Sequence, residues 1–128
     1  MDYANVPSLL SMPYLGYCKK EDTLYQHTRS FILSHHNPYY YQGTCASGIG
    51  SPHTPKNYIR HIALSMQGLT GTKEEAKKMI NLILETSNNE GLCHEGFNKD
   101  EPSEYTRFWF AWANSLFAEL VYQTYFVK

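Results

Sequence analysis

Apolar residues recur along the chain with the spacing of amphipathic helices and divide it into five segments. In each segment, apolar or aromatic side chains follow one another three or four positions apart, so that a helix would place them on one face. The segments cover about residues 6–17, 24–34, 55–69, 72–86 and 104–125. We find no convincing strand pattern between them. The pattern therefore predicts an all-α fold of about five helices.

Polar residues at the segment boundaries support this division. Thr72 is followed three positions later by Glu75, which is the spacing of a capping box, and Thr23 opens the second segment with the same spacing. Thr54 precedes Pro55, an arrangement typical of the first turn of a helix. The fifth segment is apolar on most of its sides, which is typical of a helix buried between others.

The connections between the predicted helices alternate in length. Short links at residues 18–22 and 70–71 favour antiparallel pairs of neighbouring helices. Long loops at residues 35–53 and 87–103 would then lie together at one end, beside the start of the first helix. Long loops without structure of their own are commonly functional. The spacing therefore predicts a site at this end that gathers Asp2, Asn5, His53, Glu95 and Arg107.

Composition narrows the class of protein. The 128 residues fit a single domain over residues 1–128, and 11 basic against 12 acidic residues give no sign of nucleic-acid binding. No apolar run reaches the roughly 20 residues of a membrane-spanning helix, and the N-terminus lacks the pattern of a signal peptide. The widely spaced Cys18, Cys45 and Cys93 predict reduced thiols rather than a disulfide framework or a zinc site. We therefore expect a cytoplasmic protein without a metal or other cofactor.

Glu95 is the candidate for chemistry in the second long loop. An isolated loop glutamate is usually solvated, but His94 and Arg107 could orient this carboxylate, and Gly91 and Gly96 allow close approach of other groups. The segment HEGFN lacks the second histidine of a zinc-protease motif. The pattern indicates carboxylate chemistry on a polyhydroxylated substrate, with an ordinary loop carboxylate as the alternative.

Histidines outside this loop leave alternatives open. His53 precedes the predicted third helix and is either a turn residue or a hydrogen-bond donor directed at a ligand. His35 and His36 are adjacent, and adjacent side chains point different ways on a helix, which favours two surface residues over a metal site.

Four motifs follow one another along nearly the whole chain: DYANVPSLLSMPYLGY, GIGSPHTP, HEGF and TRFWFAWANSLFAEL. In these motifs the sequence resembles glycoside hydrolase family 125, the metal-independent exo-α-1,6-mannosidases. The resemblance implies an (α/α)6 barrel that cleaves non-reducing terminal α-1,6-linked mannose with inversion of configuration. The chain is similar to only the C-terminal third or so of such a barrel.

The resemblance also implies roles for single residues. Glu95 lies in the family's HE-small-F motif and is expected to be the general base that activates water. The general acid of the family is an aspartate upstream of the matched region, so we expect this chain to lack it and to be inactive alone. The residues expected to contact the sugar are His53, Arg107, Asp2, Asn5 and His94.

Three positions depart from the family pattern. Tyr3 replaces a second acidic residue, Arg60 replaces an aromatic residue and is expected to disturb packing or subsite shape, and Phe108 stands where proline is common. The implied partner is a mannose-containing oligosaccharide, and self-association or association with an upstream barrel fragment is expected to cover exposed apolar surface. The alternative is a non-catalytic helical module that binds carbohydrate or serves in assembly.

Overall fold

The computed structural model describes residues 2–3, 5, 8–87 and 92–127, which form helices and two small antiparallel sheets. The helices are α1 (Thr23–Ile32), α2 (His61–Leu69), α3 (Lys73–Thr86) and α4 (Ala111–Tyr125). The strands are β1 (Tyr40–Gln42), β2 (Ser47–Ile49), β3 (Tyr58–Ile59), β4 (Gly96–Asn98) and β5 (Tyr105–Thr106).

Helices α2, α3 and α4 pack on one another and form most of the core. α2 is buried along nearly its whole length, whereas α3 and α4 each bury one stripe and expose the rest. The stripe of α3 carries Met79, Ile80 and Ile83, and that of α4 carries Leu116 and Leu120. This is the spacing that the apolar pattern predicts for two amphipathic helices.

The predicted start of α3 is confirmed. The Thr72 hydroxyl accepts the Glu75 main-chain N–H at 3.2 Å and so caps the helix. The N-cap of α1 is Asp22, one residue before the predicted cap Thr23. The Asp22 side-chain oxygen accepts the main-chain N–H groups of Leu24 and Tyr25 at 3.0 and 3.3 Å.

The predictions of an all-α fold and of about five helices are wrong for the part of the chain that the structure describes. Four helices occur there, accompanied by five strands of two or three residues. Residues 8–17 form turns instead of the first predicted helix, and residues 6 and 7 lie outside the described residues. The loop over residues 35–53 contains β1 and β2, which pair as an antiparallel hairpin.

Two predicted helices begin later than expected because short strands lie near their predicted starts. Ile59 pairs with Phe97 between β3 and β4, and Phe97 in turn pairs with Tyr105 of β5. Asn57 and Arg107 adopt positive φ angles of 70° and 51°, which a helix cannot contain. α2 therefore begins at residue 61 and α4 at residue 111. The three-stranded sheet places Glu95 directly before its central strand.

Candidate active site

The main chain of the segment that precedes β4 is held on both sides. Cys93 donates its N–H to the side-chain oxygen of Asn114 at 2.8 Å and accepts the N–H of Phe110 at 3.0 Å. Glu95 donates its N–H to the main-chain oxygen of Thr106 at 3.1 Å. These bonds fix the backbone from which the Glu95 carboxylate projects.

His61 holds the main-chain amide of His94, which lies between Cys93 and Glu95. Its Nδ1 accepts the main-chain N–H of His94 at 2.9 Å, and its Nε2 lies 2.9 Å from the Thr86 hydroxyl. Because the Thr86 hydroxyl donates its proton to a main-chain oxygen of α3 at 2.8 Å, Nε2 of His61 must be the protonated nitrogen. Burial, together with the neighbouring His94, lowers the pKa of His61 to about 3, so the ring is neutral.

The His94 side chain anchors this segment to its neighbours. Its side chain has no exposed surface. The Nδ1 atom of the His94 ring lies 2.9 Å from the Phe108 main-chain oxygen. The ring also stacks on the Tyr105 ring, with the two ring centres 4.0 Å apart. The His94 ring thus holds the Glu95 segment, and the expected contact of His94 with substrate stays a prediction.

The Glu95 carboxylate is the partly exposed acidic group of this region. Its side chain is 20% exposed, and its Oε2 lies 3.6 Å from Nε of Arg107. Arg107 is 66% exposed and places its guanidinium 5.7 Å from the centre of the Phe110 ring. Its φ of 51° is unusual for a residue other than glycine and directs the side chain after β5 towards Glu95.

Arg60 is a member of this cluster that the sequence analysis missed as a functional residue. Its Nε donates to the main-chain oxygen of Glu95 at 3.2 Å, and its guanidinium lies 5.6 Å from the Phe110 ring centre. Burial lowers the pKa of Arg60, while the Glu95 charge opposes that shift and the Arg107 charge adds to it. Arg60 is buried and bonded in this structure, and the expected disturbance of packing or subsite shape stays a prediction.

The turn that carries His53 lies next to β4. His53 is exposed, donates its main-chain N–H to the Ser51 hydroxyl at 3.0 Å, and meets the Tyr3 ring at a centroid distance of 5.9 Å. Thr54 does not cap a helix but packs on Gly96, where an added Cβ would lie 3.2 Å from the threonine methyl. Gly96 therefore permits close packing rather than an open space for a sugar.

The N-terminal candidates differ in their surroundings. Both carboxylate oxygens of Asp2 accept main-chain amides, those of Leu9 and Leu10, at 3.1 and 3.3 Å. Burial raises the pKa of Asp2, and these two hydrogen bonds oppose the shift. Asp2 thus holds the main chain at residues 9 and 10. Asn5 is exposed, and Gly91 falls outside the described residues.

The structure brings together part of the predicted site. Glu95 and Arg107 face each other, and Tyr3 meets His53 on the turn that packs against β4. Within the described residues, no three His, Cys, Asp or Glu side chains are grouped in a way that could hold a metal ion. No helix among them is long and apolar enough to span a membrane.

Comparisons with known proteins point to one family. The sequence model of the metal-independent alpha-mannosidases (GH125) matches residues 1–122. The meiotically up-regulated gene 157 protein of Schizosaccharomyces pombe is 44% identical over 123 residues, which are 94% of this chain and 24% of that protein.

A solved structure gives the same result. It is a Streptococcus pneumoniae metal-independent α-mannosidase in a non-productive substrate complex with α-1,6-mannobiose. The match has a TM-score of 0.96 at 50% identity and covers 100% of this chain and 30% of that one. The chain therefore spans less than a third of the length of either relative.

Proposed function

The chain belongs to glycoside hydrolase family 125, the metal-independent α-mannosidases, and on this basis we propose that it supplies the general base of an inverting α-mannosidase. The proposed reaction is hydrolysis of non-reducing terminal α-1,6-linked mannose. The proposed base is Glu95. One observation carries the proposal. The Glu95 carboxylate is partly exposed, while the main chain of Glu95 and of the residues before it is fixed by hydrogen bonds.

A general base must be reachable by water and held in one orientation. The exposed fifth of the Glu95 side chain meets the first requirement, and Arg107 at 3.6 Å supports the second. In the proposed step, water attacks the anomeric carbon from the face opposite the leaving oxygen, and Glu95 takes the proton from that water. The product is the β-anomer of mannose.

The leaving oxygen needs a proton from a general acid. In inverting glycosidases the acid and the base lie about 6.5–9.5 Å apart, which leaves room for the attacking water. Asp2 is a poor candidate because both of its oxygens are engaged by main-chain amides. We assign the acid to a residue outside these 128 residues, within an (α/α)6 barrel that this chain completes.

The proposed substrate is a mannose-containing oligosaccharide. It is supported by the mannobiose in the similar Streptococcus pneumoniae structure. We place the sugar over the exposed side of Glu95 and Arg107, with His53 and Asn5 as exposed candidates for contacts to its hydroxyls. Tyr3 adds an aromatic edge beside His53.

The proposal is tested with α-1,6-mannobiose and this chain, alone and mixed with a polypeptide that supplies the rest of the barrel from a full-length relative. We expect hydrolysis only in the mixture, with β-mannose as the first anomer seen by NMR. Glu95→Gln should lower the rate by about 10³-fold. The matched control is Glu101→Gln, an exposed glutamate between β4 and β5.

Each arm can contradict a different part of the proposal. Full activity of the chain alone refutes the requirement for an acid from elsewhere. Initial release of α-mannose refutes inversion, and an unchanged rate in Glu95→Gln refutes the base.

A second candidate function is assembly without catalysis. It is favoured by the aromatic side chains that α4 leaves in solvent, including Trp112 at 53% exposure and Tyr122 at 55%. Surfaces of this kind normally mark an interface. A folded chain that stays inactive in the mixture, and that associates through this surface, would support this function over the first.

A further inference from the structure

Arg60 places a charge in a stretch of the chain that is buried. Its neighbours Ile59 and His61 have no exposed surface, and Arg60 itself is 7% exposed. Its main-chain N–H donates to the Ile49 oxygen at 3.1 Å, which ties the residue to β2. A charge is costly to bury unless it is bonded and paired, so a buried guanidinium indicates a specific task.

The bonding of Arg60 is directed at Glu95. Nε reaches the Glu95 main-chain oxygen at 3.2 Å. With the Glu95 N–H bonded to Thr106, both backbone polar groups of the proposed base are therefore occupied. Because β3 and β4 pair in register at Ile59 and Phe97, Arg60 and Glu95 lie at the adjoining ends of the two strands.

The Phe110 ring links Arg60 to the second arginine. The two guanidinium carbons lie 5.6 and 5.7 Å from its centre, within the range of cation–π contacts. An exposed ion pair such as that of Arg107 with Glu95 contributes at most about 1 kcal/mol by itself. The ring gives the exposed Arg107 side chain a fixed surface to rest on, and Phe110 is itself held by its N–H to Cys93.

We propose that Arg60 is a positioning residue for Glu95: its buried guanidinium holds the Glu95 main chain and the Phe110 ring, and that ring keeps Arg107 against the carboxylate. The assignment rests on the proposed role of Glu95 as the base. In this assignment Arg60 acts through the Glu95 main-chain oxygen and through Phe110.

The deciding experiment measures amide hydrogen exchange in the 128-residue chain and needs no activity. Arg60→Met keeps the aliphatic part of the side chain and removes the guanidinium. Arg29→Met is the matched control, because Arg29 also bonds a main-chain oxygen, that of Gln67 at 2.8 Å, and pairs with a glutamate, Glu75 at 3.0 Å, away from Glu95.

We expect the amides of residues 94–96 in Arg60→Met to exchange about ten-fold faster relative to those of residues 79–83 in the buried part of α3, which report global unfolding. In Arg29→Met this ratio should stay within about two-fold of the original chain. An equal ratio in both variants would show that Arg60 contributes only general stability, and would overturn the proposal.

A spectroscopic measurement tests the link through the ring. The Arg107 guanidinium carbon lies 5.7 Å from the centre of the Phe110 ring. The NMR shifts of the neighbouring Arg107 side-chain protons should therefore carry a ring-current displacement in the original chain and in Arg29→Met. Phe110→Leu should remove it, and Arg60→Met should reduce it by at least half. An undiminished displacement in Arg60→Met contradicts the role of Arg60 in holding the ring.

Arg60→Lys provides a second variant if Arg60→Met does not fold. Lysine keeps the charge but has a single terminal donor group, which cannot both bond the Glu95 oxygen and cover Phe110. We expect exchange at residues 94–96 to rise as in Arg60→Met. Exchange at the original rate would refute the need for the guanidinium.

Activity in the complemented mixture separates this proposal from the proposed function. If Arg60 positions the base, Arg60→Met should lower kcat about ten-fold with KM nearly unchanged, while Arg29→Met lowers neither. Loss of activity in Glu95→Gln with full activity in Arg60→Met would refute the positioning role alone. Full activity in Glu95→Gln would refute the base, whatever Arg60 does.

Discussion

At the scale of single residues, His61 couples the Glu95 segment to pH. Its neutral ring accepts the His94 N–H through Nδ1, and a second proton on the ring would remove that acceptor. Burial lowers its pKa from the model-peptide value of 6.5 to about 3. Between these two values the unfolded chain binds one more proton than the folded chain, so this contribution to stability falls as pH falls through the window.

We predict that His61→Gln flattens the acid side of the stability profile. One proton corresponds to a slope of about 1.4 kcal/mol per pH unit, and the free energy of unfolding should lose about that much slope between pH 4 and 6. The measurement is urea unfolding at pH 4, 5, 6 and 7. His35→Gln, which changes an exposed histidine, serves as the control and should keep the original slope. An unchanged slope in His61→Gln would show that this histidine is not the group that titrates.

Some residues of the candidate site could be singled out from the sequence and others could not, for a physical reason. Glu95 and Arg107 stand out because charged side chains in a loop with glycines invite a functional explanation. Arg60 and His61 lie 35 and 33 positions from Glu95 and His94, the residues whose main chains they bind, and no local pattern reports such contacts. A usable signal was the charge inside the apolar run YIRHIAL, since a charge there must find a partner.

At the scale of elements, local signals predicted helices better than strands. Thr72 and Glu75 are three residues apart, so the cap of α3 could be read directly from the sequence. β3 and β5 have two residues each, too few to show alternation, and they exist because β4 pairs with both. The start of α2 was predicted too early because Thr54 and Pro55 form a turn before β3 and not the first turn of a helix.

Gly50 allows the chain directly after β2 to lie close to β3. An added Cβ would overlap the Tyr58 main-chain oxygen and lie 2.5 Å from the Tyr41 ring. We predict that Gly50→Ala lowers the free energy of unfolding by about 3 kcal/mol, because the backbone atoms cannot move aside without breaking strand contacts. Thermal and urea unfolding measure this loss. The control is Lys56→Ala, at an exposed position before β3, with an expected change within about 0.5 kcal/mol. A Gly50→Ala variant as stable as this control would contradict the close approach.

At the scale of the whole molecule, the chain folds around one core and leaves a second apolar surface in solvent. α4 buries Leu116 and Leu120 against the other helices but exposes Trp112 and Tyr122, and Phe126 directly after the helix is exposed as well. A shallow groove beside these residues is lined by Leu92, Trp109, Phe117, Val121, Tyr122 and Phe126. The chain matches 30% of a solved relative with a TM-score of 0.96. We propose that the remainder of such a protein covers this surface, with a second copy of the chain as the alternative.

The exposed α4 surface predicts association that depends on concentration. In sedimentation velocity at micromolar concentration, the isolated chain should form dimers. The double variant Trp112→Ser and Phe126→Ser should raise the Kd of the dimer at least about ten-fold, which is equivalent to about 1.4 kcal/mol. Tyr17→Ser is the control, because Tyr17 is 76% exposed on the turns before α1 and should not affect the dimer. Addition of the remaining barrel polypeptide should displace the second copy if both use the same surface. A chain that stays monomeric throughout, with or without that polypeptide, would refute the assembly function and leave the aromatic side chains of α4 without an interface.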